Sequence, residues 1–274
     1  MILILRGHIR NSFNEPYLYN LVKDIVNIQP NIKIYIHTWN IYANSLSWRV
    51  IETDNRIVTN EIIYEYFKDF KDLIEHIIID DDKNIKLIGN FDGKVCLGQQ
   101  PLKGWKNYIY GKYKIIEHIY NKYENKNEMV INCRFDILGN STPTRHNEIL
   151  DLIKNNTNTK FNKNLFLIDE IFTDINNINI CNIVRNNNPI RHNQIVDLIK
   201  NNKIEISDKI ISIMDGIFIG CDNIYIGNIE TIYQLAKCFH YDLDNILNIY
   251  SNEYHQEILW YKINIDIFTS SSRD

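Results

Sequence analysis

Apolar positions along the chain recur with two periods. Residues 2 to 5, ILIL, form a continuous apolar run. That run predicts a short buried strand, first in the chain and central in a sheet. Leu18, Leu21, Val22 and Ile25 fall at helical spacing within residues 17 to 26, and Pro16 stands near the first turn, where a missing N–H costs little. Residues 31 to 39 alternate and predict a second strand. Strand, helix and strand in some forty residues make a βαβ start. Residues 61 to 80 pass from a helical pattern into a strand-like IIID, and residues 104 to 124 read as one long helix. Its positions 108, 109, 112, 115, 116, 119 and 120 recur at threes and fours, with Lys112 contributing its apolar stem. This aromatic stripe reads as core packing more than as a cofactor stack. Residues 128 to 133, EMVINC, give the next buried strand, which runs out into Arg134 and Asp136. A helix over 229 to 239, one or two more between 241 and 264, and a last strand at IDIF follow, before a frayed tail. The alternation predicts an α/β fold: a Rossmann-like, open, twisted, mostly parallel sheet flanked by helices, as one domain over residues 1 to 274.

A repeat interrupts that domain. PTRHNEILDLIKNN, residues 143 to 156, recurs 46 residues later as PIRHNQIVDLIKNN, and LFLIDEIF at 165 to 172 falls on ISIMDGIF, with Asp169 matching Asp215. Two copies are too few for a solenoid. Residues 143 to 218 therefore read as a local tandem duplication of a helix–strand unit. The same shift sets Arg134 against Ile180 and Asp136 against Asn182, so the second copy lacks the charged pair. Conversely, Gly216 meets Glu170. Either two halves of one site now flank an insertion, or the copies have simply drifted.

Composition narrows the function classes. Thirty Lys and Arg face 34 Asp and Glu, a net charge of -4, which offers no general field for nucleic acid or an anionic membrane but leaves room for a local basic pocket. The five cysteines are widely spaced with no C-x-x-C, which argues against a disulfide framework or a cysteine zinc site. The opening apolar run is too short for a signal peptide, and no stretch of eighteen uncharged apolar residues follows. A soluble, cytoplasmic protein without a transmembrane segment is the expectation. The wealth of Asn and Ile reads as coding bias.

Candidate chemistry gathers at predicted strand ends. Period two puts Arg134 and Asp136 on one side of their strand. A guanidinium forks onto two oxygens, while a carboxylate holds a metal or a hydroxyl. At the carboxyl end of an α/β strand such a pair faces the usual ligand crevice; otherwise it is an ion pair closing a loop. RGHIR follows the first strand: Gly7 permits a tight turn, Arg6 and Arg10 suit phosphate, and His8 can hydrogen-bond it. The alternative there is a solvated basic turn. His37 and Trp39 end the second strand, where they meet a nucleobase or sugar or else serve the core. Trp48 and Arg49, and Lys103 and Trp105, are weaker candidates, with surface decoration as the alternative, and the run Asp80, Asp81, Asp82 reads as a solvated loop. Asp215 precedes a glycine and either binds acceptor hydroxyls or belongs to an ordinary turn. Glu253 and Glu257 share a helical face, and either can deprotonate a hydroxyl. His255 can instead join Asp136 on a divalent cation.

The order of RGHIR, IHTW with SWR, CRFD, MDGIFIG and HQE over residues 1 to 265 resembles sugar transferases of bacterial polysaccharide clusters and giant viruses. That resemblance implies a type-A glycosyltransferase architecture. It implies a nucleotide-diphosphate sugar as donor and a glycan or small-molecule hydroxyl as acceptor. It also implies a host-cytoplasmic setting if the protein is viral. By the same likeness Asp136 takes the last position of a D-x-D strand end, which holds Mn2+ or Mg2+ against the diphosphate. Arg134 stands where the first aspartate is expected, which puts metal dependence in question. Asp215 is then an acceptor-side carboxylate, and Glu257 or Glu253 the base of an inverting reaction. Another nucleotide-using transferase, nucleotidyl or phosphoryl, and a non-catalytic α/β interaction protein are the alternatives.

Overall fold

The computed structural model describes residues 1–46, 51–95, 100–138, 143–156, 166–168 and 224–250. The second repeat copy, Trp48, Arg49, Asp215 and everything past residue 250 lie outside the described residues.

Six strands form the main sheet: β1 (Ile2–Arg6), β2 (Lys33–Trp39), β5 (Ile74–Asp80), β8 (Met129–Arg134), β9 (Phe166–Ile168) and β10 (Ile224–Asn228). They lie in the order β5-β2-β1-β8-β10-β9. β1, β2, β5 and β8 run parallel, and β10 runs antiparallel to both β8 and β9. The small ladders β3 (Ile41–Ala43) with β4 (Asp54–Ile57), and β6 (Lys94–Val95) with β7 (Gln100–Pro101), lie apart from this sheet. The expected mostly parallel, helix-flanked α/β sheet is present, and its first strand is central.

The sheet is buried on both faces, which explains why β2 is buried from Ile34 onward even though its sequence alternates. Leu3, Leu5, Ile34, Ile36 and Ile131 turn to one face. There they meet α1 (Tyr17–Ile28) and α4 (Pro143–Asn156), through Leu21, Val22, Ile149 and Ile153. Ile2, Ile4, Tyr35 and Val130 turn to the other, against α3 (Leu102–Lys122) and α5 (Ile229–Tyr250). Between β4 and β5 lie α2 (Asn60–Tyr66), capped by the Thr59 hydroxyl accepting from Ile62 N, and a 3-10 turn, Lys68–Leu73. β10 feeds straight into α5, whose start is capped by Asn228 Oδ1 accepting from Thr231 N at 2.8 Å. Among the described residues no helix is long and apolar enough to cross a membrane.

Candidate functional site

The carboxyl ends of β1, β2 and β8 meet in register: Arg6 stands beside His37 on one side and Arg134 on the other. Past β1 the chain turns sharply. Gly7 has φ +97, which only glycine adopts freely, its N–H donates to His37 O at 3.1 Å, and Thr38 Oγ1 donates to Gly7 O at 2.9 Å. Arg10 carries φ 53, an uncommon conformation for a residue with a Cβ, and its N–H donates to Tyr42 O at 2.8 Å. Such a conformation persists where the surroundings over-determine it. Here it brings the Arg10 guanidinium to Asp136.

Asp136 is also gripped from its own strand. Arg134 Nε donates to Oδ1 at 2.7 Å and Nη2 to Oδ2 at 2.6 Å, a bidentate fork. Arg6, 1 % exposed, donates from Nε to Asn132 Oδ1 and lays its guanidinium over the Tyr108 ring, 4.7 Å from the centroid. Lys112, fully buried on α3, places Nζ 4.2 Å from the same centroid. The close approach of α3 to β2 depends on Gly111, because a Cβ there would lie 2.7 Å from the His37 ring.

These groups surround one cavity of about 90 Å3. Arg6, Arg10, Arg134 and Lys112 line it as cations, against the carboxylates Asp136 and Asp82. An acidic chain thus holds a local cationic pocket. Gly7, His8, His37 and Trp39 complete that side. His8 stacks on Trp39 at 5.8 Å, and its pKa is pushed down to about 3, first by burial and then by the neighbouring Arg10 charge. His8 is therefore neutral, and its Nε2 has no hydrogen-bond partner. His37, fully buried, contacts Asp80 Oδ2 through Nε2 at 3.2 Å. That hydrogen bond is the leading reason the Asp80 pKa is lowered.

The structure thus brings together Arg6, Gly7, His8, Arg10 and His37 with Trp39, Arg134 and Asp136. Asp215, Glu253, His255 and Glu257 lie outside the described residues and are placed nowhere by it. Two readings change. Trp105 is a fully buried core residue, not surface or ligand. The run at 80 to 82 is no solvated loop: Asp80 holds His37, and Asp82, 5 % exposed, borders the cavity. Lys112, Asn107 and Asp82 were missed as site residues. The signal for Lys112 was a cation inside an apolar helical stripe.

A divalent cation does not suit the described part of this site. Both Asp136 oxygens already accept from guanidinium groups, and no cluster of three or more His, Cys, Asp or Glu among the described residues could hold a metal. A carboxylate shared by two arginines positions those arginines instead.

Fold and pocket together define an α/β protein with a cationic cavity at the carboxyl ends of its parallel strands, the position where such sheets receive ligands. No protein-family model, curated protein or solved structure matches the chain.

Proposed function

We propose that this chain is a glycosyltransferase, moving a sugar from a nucleotide-diphosphate sugar to a hydroxyl of a glycan or small acceptor. The observation that supports it is the meeting of Arg6, Arg10 and Arg134, from two strand ends and a strained loop, with Lys112 around one cavity. Sugar transfer builds negative charge on the leaving diphosphate, and preorganised cations facing that charge lower the barrier. Guanidinium forks match phosphate oxygens in geometry. A cavity of about 90 Å3 suits the diphosphate end of a donor. One water needs ~10–15 Å3 on this measure, and a whole drug-sized ligand fills several hundred. Charge neutralisation then comes from the chain's own side chains, with Asp136 holding Arg10 and Arg134 in place. The Arg134–Asp136 bridge borders the cavity instead of turning away from it, which speaks against a purely structural pair.

Thermal shift with uridine and guanosine diphosphates and their sugars tests this. Binding raises Tm by mass action. Arg134→Ala is expected to weaken that binding by about tenfold or more, since charge-assisted bonds are lost. A wild-type protein that responds to no nucleoside diphosphate or nucleotide sugar overturns the reading. Turnover of nucleoside triphosphates alone would redirect it to nucleotidyl or phosphoryl transfer.

A further inference from the structure

The cavity has two unlike ends. Its β8 side holds the arginine network just described. Its β5 side holds Asp82, two residues past β5, whose Oδ2 accepts from Asn44 Nδ2 while Oδ1 has no hydrogen-bond partner. From α3 comes Asn107, 6 % exposed, whose Oδ1 also has none. Both residues line the cavity. In the order β5-β2-β1-β8 the strands that lead to Asp82 and to the Arg134–Asp136 pair stand at opposite ends of the parallel run.

A buried acceptor with no donor is costly, and folded proteins keep few of them. Two beside one cavity can be met by a donor that enters it, a water or a group of a ligand that displaces that water. A second phosphate is the wrong partner for a carboxylate and an amide oxygen, because it brings only acceptors. Hydroxyl groups donate, and a ribose or a hexose carries more than one.

We propose that Asp82 and Asn107 form a hydroxyl-binding subsite, so that the cavity takes the phosphate end of a phosphate-linked polyol and the hydroxyls next to it, with the rest of the ligand outside. Its anionic group meets the arginines and its hydroxyls meet Asp82 and Asn107. The inference rests on the diphosphate reading of the arginine end. The hydroxyls come either from the ribose of a nucleotide or from the sugar being transferred, and the shared chemistry is a sugar hydroxyl.

Calorimetric titration of wild type, Asp82→Asn and Asn107→Leu with inorganic pyrophosphate, a nucleoside diphosphate and its sugar derivative decides between these. Pyrophosphate carries no hydroxyls, so its affinity is expected to hold or rise in both variants, while the polyol-bearing ligands weaken by about tenfold. Weakening already present with the nucleoside diphosphate assigns the subsite to ribose; weakening confined to the nucleotide sugar assigns it to the transferred sugar. Because Asn107→Leu removes an unmet acceptor, the ligand-free variant is expected to melt no lower than wild type. Variants that bind all three ligands as tightly as wild type overturn the subsite, as does a lowered melting point in both variants, which would mark a structural role. Wild type that binds no pyrophosphate defeats the diphosphate reading first, a result distinct from either of these.

Discussion

α1 and α3 flank the same sheet on opposite faces, and they bury different things. α1 buries Leu18, Leu21, Val22 and Ile25, all apolar. α3 buries Trp105, Ile109 and Ile116, but also Lys106, Asn107 and Lys112. Even these three polar residues differ among themselves. Lys106 Nζ is taken up by Ile88 O at 2.6 Å and Asp244 Oδ1 at 2.5 Å, which ties the chain before β6 to α5. Asn107 and Lys112 border the cavity instead. A helix that only supports the sheet has no reason to bury polar groups, since each costs free energy unless it is paired. Where the fold supplies the partner, the polar residue is architecture. Where a cavity lies alongside, the polar residue also shapes what that cavity can receive.

The comparison predicts different consequences on the two faces. Leu21→Ala on α1 is expected to cost the most, about 3 kcal/mol, from lost burial plus a cavity that the packed face cannot close. Urea unfolding would measure it, and nucleoside diphosphate affinity of the folded fraction should stay within twofold of wild type. A large loss of affinity would show that the α1 face is coupled to the site and would break the contrast. Gly111→Ala on α3 comes next. Helix propensity alone would favour Ala by ~1 kcal/mol. The added methyl would instead sit 2.7 Å from a His37 ring that Asp80 holds in place. Overpacking should win, giving a net loss of about 1–2 kcal/mol together with weakened ligand binding. A stabilised variant that binds normally would show that α3 can move away from β2.

The same contrast marks what the sequence could reveal. The α1 stripe was legible residue by residue, because an apolar face at helical spacing has one way to be buried. β1 was legible as the central strand for a similar reason. β10 was not: Ile224–Asn228 is short, contains Gly227, and borrows its stability from β8. The antiparallel step in the sheet went unseen with it. In the site, RGHIR and R-x-D stood out because charge sits at the ends of apolar runs. Asp82 did not, because an acidic triplet looks the same in sequence whether it is solvated or folded against Asn44. Asn107 fell off the apolar stripe and gave no signal, since α3 is covered on two sides, by the sheet and by α5.

The smallest expected effect is an acid sensitivity carried by the cavity and the α3 face. His8 is held at a pKa of about 3, chiefly by burial. His76 and His118, stacked at 3.9 Å, and His240, stacked on Tyr113 at 4.4 Å, are all shifted down with burial as the leading cause. A lowered histidine pKa means that the unfolded chain takes up protons before the folded one does. Stability is therefore whole above the unfolded value near 6.5 and falls as pH drops below it, toward about 3 for His8. Between pH 7 and pH 6 the loss should be about 1 kcal/mol, mostly from His8, with the contribution of the partly exposed rings discounted for solvent. Urea midpoints at the two pH values measure it, and His8→Asn should recover most of the loss. A midpoint that rises on acidification, or a loss that His8→Asn leaves unchanged, would show that His8 is not the group that titrates.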